Sequence, residues 1–148
     1  MNYIISLGGS LIVPDKVDTT FLRKFRSLIL RETKKGKKFL ILSGGGRTCR
    51  VYQQAARKVA HVSDDALDWI GIEACNLNAV LLSAMFFLPP RPPGFLIPLL
   101  PKEGLGEVGE VRGKYPVKIT SGGLKLGASS DSTSVYYARK LGFKTVLN

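Results

Sequence analysis

The stretch FLILSGGGRTCR, Phe39 to Arg50, runs four apolar residues and a serine into three glycines, with arginines at 47 and 50. Lys38 to Leu42 has the length and β-compatible side chains of a buried strand. Beyond the glycines, Val51, Tyr52, Ala55 and Val59 recur at helical spacing. Gly44 to Gly46 therefore join the carboxyl end of a strand to the amino end of a helix. A glycine loop there lets the backbone approach an anion, exposes successive N–H groups and aims the positive end of the helix dipole at it. Arg47 and Arg50 fall in the first helical turn, where the dipole disfavours a cation unless an anion offsets it. The plainer alternative is that the glycines only permit close packing of helix on strand.

Upstream, Tyr3 to Leu7 reads as another short buried strand, delivered into Gly8-Gly9-Ser10. A helix follows, with Asp18 as N-cap, Phe21, Leu22, Phe25, Leu28 and Ile29 as one buried stripe, and Gly36 as its stop. Strand, helix and strand over residues 3 to 43 make a unit that closes as a right-handed crossover between parallel strands. Downstream, Asp64 or Asp65 is placed to cap a long helix through ALDWIGIEACNLNAVLLSAMF. Leu88 to Lys114 is rich in proline and glycine and reads as loops around a short strand near Phe95 to Ile97. Val117 to Thr120 is a further strand, followed by SGGLKLGASSDS, then an amphipathic helix over Ser132 to Leu141 with Val135, Ala138 and Leu141 on one side. Gly142 stops that helix, and a last strand begins at Thr145.

Three strands thus end in glycine-rich loops, and in a parallel α/β sheet ligands sit outside the carboxyl ends of the strands. The loops are expected to meet on one edge and bind phosphate. Neither G-x-G-x-x-G nor G-x-x-x-x-G-K-[ST] occurs, so a dinucleotide-binding or Walker-type site has no support.

Composition agrees with a compact α/β domain that attracts anions. The chain has 148 residues, 45% hydrophobic, with 22 Lys plus Arg against 11 Asp plus Glu. Part of the excess is RETKKGKK, Arg31 to Lys38, which reads as a solvated helix end rather than a nucleic-acid patch. Cys49 and Cys75 have neither metal-ligand nor redox spacing and fit a reducing, cytoplasmic compartment as small apolar residues. The amino terminus lacks the basic region of a signal peptide, and the longest apolar tract is broken by Arg91 and prolines, so no membrane span is expected.

The segments SLGGSLIVP, LSGGGRTCR, LDWIGIEACNLNAVLL and SGGLKLGASSDSTSVYYA, in this order and approximate spacing, resemble the uridylate (UMP) kinases of archaeal type within the amino acid kinase superfamily. The resemblance covers most of the chain but not Leu88 to Lys114. It implies a three-layer α/β/α sandwich with a mainly parallel central sheet. It also implies transfer of the γ-phosphoryl group of ATP, with Mg²⁺, to UMP, in a homo-oligomer that is hexameric in the family. No metal ligand is assigned to the protein itself. Because the acceptor is already an anion, catalysis rests on alignment and charge neutralisation rather than on a strong base.

Carried over by motif, Gly9, Ser10, Gly46 and Arg50 would meet the ATP phosphates and Gly45 would face UMP. Asp68 would accept from the ribose hydroxyls of UMP. Leu124, Lys125, Leu126, Gly127, Ala128, Ser129 and Ser130 match the loop that wraps the UMP phosphate. Arg50 and Asp131 are the residues implied in catalysis, Asp131 having N-capping as its structural alternative. Asn78 would brace the site from its helix.

Departures from the pattern are Ser6, where many superfamily members carry lysine, and Leu124 and Ala128, where polar residues are commoner. Family members also continue past the last strand into a Thr-Asn-x-x-Gly-Val-Tyr type loop that holds adenine. The resemblance therefore implies that residues 1 to 148 form one amino acid kinase domain without the ATP-nucleoside-binding part. Alternatives are another phosphate-acceptor kinase such as isopentenyl phosphate kinase, whose histidine near the second glycine loop is missing from GGGRTCR, or a nucleotide-binding module without turnover. Nucleic-acid binding would rest on charge alone.

Overall fold

Four strands, all parallel, form one sheet in the order β3-β2-β1-β4. They are β1 (Asn2–Leu7), β2 (Lys38–Ser43), β3 (Val117–Ser121) and β4 (Thr145–Leu147). Five helices connect them: α1 (Gly9–Ile12), α2 (Thr19–Lys34), α3 (Gly46–Val59), α4 (Asp64–Phe86) and α5 (Ser130–Leu141). This computed structural model describes residues 2–86, 116–123, 126–127 and 129–148. The expected loops and short strand between Leu88 and Lys114, and the loop positions Leu124, Lys125 and Ala128, lie outside the described residues.

Side-chain alternation along the central strands builds two cores, one on each face of the sheet. Phe39 and Ile41 of β2 point to the face covered by α1, α2 and α4, packing with Leu22, Ile29, Leu82 and Val117. Leu40 and Leu42 point to the opposite face, where Ile4, Tyr137 and Phe143 meet them under α5. Each such fully buried side chain contributes about 1.5–3 kcal/mol relative to exposure, so β2, buried at every position after Lys38, anchors the fold. The α/β/α layering and parallel sheet expected from the sequence are present.

Local signals explain most element boundaries. Asp18 Oδ1 accepts from the Phe21 N–H at 2.8 Å and starts α2. The helix ends at Lys34, and Gly36 follows at φ +81°. In the same turn Glu32 accepts from Lys35 and Lys37, which hold its carboxyl down to about 2. The basic run is thus a solvated helix end, partly neutralised from within. Gly142, at φ +66°, closes α5 as a left-handed cap.

Four expectations need correction. An extra turn, α1, lies between the first glycine pair and α2. Ser63, not Asp64 or Asp65, caps α4, its hydroxyl accepting from the Ala66 N–H at 3.3 Å. On α5, Ala138 and Leu141 pack on the core as expected, beside the buried Thr133, Ser134 and Tyr137, but Val135 is exposed. Finally, α3 is helical as expected, but none of its residues is buried, and Val51, Tyr52 and Val59 face outward.

By length and composition α4 is the one described helix apolar enough to cross a membrane. Here Leu67, Ile72, Ala74, Ala79 and Leu82 of that helix are buried inside the fold.

The ends of β1 and β2 meet backbone to backbone. A methyl group added at Gly9 would overlap the Gly46 nitrogen and lie 2.6 Å from the Gly44 carbonyl carbon; one added at Gly44 would lie 2.6 Å from the Gly9 nitrogen. Gly46 is itself at φ +63°. Gly36 shares a positive φ but has no neighbour within 4 Å of an added methyl. Gly9→Ala should therefore cost about 3 kcal/mol or more in urea unfolding, against about 1–2 kcal/mol for Gly36→Ala. Equal costs would show that the two loops can part without penalty.

Candidate functional site

The three glycine loops do converge, at the carboxyl edge of β1, β2 and β3. Each opens a helix: α1 at Gly9, α3 at Gly46 and α5 at Ser130. Hydrogen bonds tie the loops to one another and to α4. Asn78, 2% exposed, donates its amide to the Gly44 oxygen at 2.7 Å and the Gly45 oxygen at 3.3 Å. Ser43 Oγ donates to the Cys75 oxygen at 2.8 Å. The Gly122 N–H donates to the Ser43 oxygen at 2.9 Å, and Thr133 Oγ1 donates to the Gly122 oxygen at 2.9 Å. The second and third loops are thereby held at a fixed spacing.

Between them lies a cavity of about 390 Å³, within the range for small-molecule sites. Part of the lining is glycine backbone, Gly44, Gly45, Gly122 and Gly123, with Ser129 and Ser130 at the amino terminus of α5. Glycine is required there by space. A methyl at Gly122 would stand 2.5 Å from Ser130 Cβ, and one at Gly45 would stand 2.8 Å from Cys49 Cβ. Asp68, Gln53 and Ile72 add side chains to the lining. Asp68 Oδ2 accepts from the Gly127 N–H at 2.7 Å, so this carboxylate also pins the third loop.

The residues implied by resemblance fall into two spatial groups. Gly45, Asp68, Gly127, Ser129 and Ser130 line the cavity. Gly9, Ser10, Gly46 and Arg50 are not among its lining; Gly9 and Gly46 form the backbone contact between the first two loops, and Arg50 is exposed in the first turns of α3. Leu126 is exposed on the third loop. Leu124, Lys125 and Ala128, also expected at this site, lie outside the described residues.

Asp131 sits in the first turn of α5, where Ser6 Oγ, 3% exposed on β1, donates to its Oδ1 at 2.8 Å. Ser129, not Asp131, caps the helix, its hydroxyl accepting from the Ser132 N–H at 3.1 Å. Ser6, a departure from the superfamily pattern, is thus the partner of the carboxylate. Arg47 also needs a revised account. Its guanidinium pairs with Asp15 at 2.9 Å, both side chains solvent-exposed, so that cation has a carboxylate beside it and does not by itself call for a bound anion. Arg50 is the cation that faces solvent next to the loop.

Several lining residues were not singled out in the sequence. Cys49 and Cys75, read as small apolar residues, both line the cavity, as do Gln53 and Gly71. Burial pushes the Cys75 thiol up to about 11 and raises that of Cys49 as well. Both remain neutral wall groups near pH 7. A signal was available only for Gln53, polar at i+4 from Cys49 on the side of α3 that turns to α4.

Two outcomes follow. Asn78→Leu, similar in size, leaves two loop carbonyls without their donor and should cost about 1–3 kcal/mol in denaturant unfolding; an unchanged midpoint would mean that the loop does not depend on this amide. Iodoacetamide labelling of Cys75, followed by mass, should stay slow at pH 8 and climb toward pH 11, as thiolate forms. Labelling already complete in minutes at pH 8 would contradict a buried neutral thiol.

No protein-family model matches the chain. The chain is 33% identical over 147 residues to the uridylate kinase of Aeropyrum pernix, covering 98% of this chain and 60% of that protein. It is 29% identical over 145 residues to the uridylate kinase of Thermoplasma acidophilum, covering 98% of this chain and 58% of that one. The crystal structure of uridylate kinase from Archaeoglobus fulgidus superposes with a TM-score of 0.72 at 25% identity, over 99% of this chain and 61% of that chain. The chain spans about three-fifths of the length of these relatives. Across nearly its whole length it is a homologue of the archaeal uridylate kinases and has their fold.

Proposed function

We propose, for this homologue of the archaeal uridylate kinases, that the cavity receives a nucleoside monophosphate, UMP, and that the chain serves in transfer of the ATP γ-phosphoryl group to it. The observation that carries this reading is the lining itself: Gly45 and the amino terminus of α5 at Ser129 and Ser130, suited to a phosphate, share one cavity with the Asp68 carboxylate, an acceptor suited to sugar hydroxyls.

The donor phosphates would lie across the Gly9–Gly46 contact, on the amides of Gly9, Ser10 and Gly46 with Arg50 beside them. The acceptor phosphate would lie on Gly45 and the α5 terminus, and transfer requires the two phosphates to meet directly and in line at the edge of this loop. Arg50 would neutralise charge spread over the equatorial oxygens as the bond to the leaving ADP lengthens. Asp131, held by Ser6, fits the task of orienting cations at the reacting phosphates. Mg²⁺, which takes one or two carboxylates plus substrate phosphates, would supply charge neutralisation there when bound, with Asp131 as the carboxylate on the protein side. A homo-oligomer, and a cytoplasmic setting consistent with two free cysteines, belong to the same reading.

Thermal-shift titration tests the acceptor: UMP should raise the melting temperature by mass action where isopentenyl phosphate does not. Formation of UDP from ATP and UMP tests turnover. Arg50→Ala should lower phosphate-dependent nucleotide affinity by tenfold or more, since charge-assisted contacts are worth about 1.5–3 kcal/mol, while its exposed side chain leaves folding unchanged. An unfolded Arg50→Ala with full nucleotide affinity would overturn the assignment.

A further inference from the structure

We infer that Gln53 is a specificity-determining residue of the acceptor cavity, its side-chain carbonyl accepting from a ribose hydroxyl beside Asp68. This rests on the nucleotide reading above and extends it to a residue that the motif resemblance does not include. Gln53 and Asp68 both line the cavity, on neighbouring helices. The Gln53 amide nitrogen donates to the Leu67 oxygen at 2.8 Å, and Leu67 immediately precedes Asp68. A carbonyl can only accept, so this bond fixes which way the amide faces: one N–H of Nε2 is committed to Leu67 and Oε1 is left as an acceptor. Among the described residues nothing donates to that oxygen.

Asp68 is similarly half committed. Its Oδ2 takes the Gly127 N–H, which leaves Oδ1. Two acceptors, Gln53 Oε1 and Asp68 Oδ1, are therefore offered from neighbouring helices in the wall of one cavity. Adjacent acceptors match a vicinal diol, which has two donors to give. They match a 2′- or 3′-deoxyribose less well, because one of the two acceptors would lose the hydroxyl it is placed to meet. A site built to hydrogen-bond a hydroxyl discriminates against the analogue lacking it more strongly than an apolar pocket does. Gly71 adjoins this wall: a methyl there would come into ordinary contact with Gln53 Nε2 at 3.6 Å and Cys49 Sγ at 3.5 Å.

Calorimetric titration of the chain with UMP, 2′-deoxy-UMP and 3′-deoxy-UMP tests this, first without any variant. Wild type should bind UMP about 5- to 10-fold more tightly than at least one deoxy analogue. Gln53→Met should weaken UMP by a similar factor and leave the analogue lacking the contacted hydroxyl within about twofold. If Gln53→Met weakens all three ligands alike, or none, the residue only packs α3 on α4 and the inference is overturned. If wild type binds none of the three, the nucleotide reading itself fails, an outcome distinct from loss of discrimination.

Discussion

The contact on which the rest depends is between two pieces of backbone. Gly9 meets Gly44 and Gly46 with no room for a side-chain carbon, so the loops leaving β1 and β2 are locked together at the sheet's edge. Parallel pairing of β1 and β2, from Tyr3 opposite Phe39 to Leu7 opposite Ser43, brings the loops to the same height. Absence of Cβ atoms then lets them touch. A single methyl would force the strand ends apart and move α1 and α3, whose first turns begin at these glycines. Of the glycines around this contact, Gly44 and Gly45 line the cavity, while Gly9 and Gly46 are outside its lining.

Around this contact the buried polar residues do directed work. Ser6 and Ser43 are the last or nearly last residues of their strands, at 3% and 0% exposure, and alternation sends them to opposite faces. Ser6 reaches Asp131 on α5, and Ser43 reaches the Cys75 carbonyl on α4. Each hydroxyl thus ties a helix to the strand end nearest the site, where an apolar residue would only have packed. Unpartnered, such groups would cost stability; paired, they set the height of α4 and α5 against the glycine loops. Among the described residues no buried side-chain nitrogen or oxygen lacks a partner.

Much of this was legible in the sequence because its signals are local. A run such as Phe39 to Leu42 followed by glycine, a cap such as Asp18 and a stop such as Gly142 need only their neighbours to be read. Three strands ending in glycine loops sufficed to place the site on one edge. What escaped reading depends on partners far along the chain. Ser6 and Asp131 are 125 residues apart, and nothing near either announces the other. Ser129 and Asp131 are equally good capping types, and only the start of α5 decides between them. Cys49 and Cys75 look like core residues, and they do become partly buried, but in a cavity wall that no periodicity reveals.

Helix α3 shows why periodicity and burial must be kept apart. Its apolar spacing is real, yet no residue of it is buried, with Tyr52 66% and Val59 87% exposed. Burial therefore contributes little to holding it, and its position comes from other sources: Gly45 and Gly46 at its start, the Arg47 N–H bonded to the Val13 oxygen, and Gln53 bonded to Leu67. Elements with few buried contacts open at lower free energy than the core they adjoin. Gln53, Cys49 and Arg50 all ride on this helix, so the cavity wall and the exposed cation move with it. Filling the cavity adds contacts to the least anchored helix of the site, and ligand binding should then order α3 more than it orders β2, which is already buried on both faces.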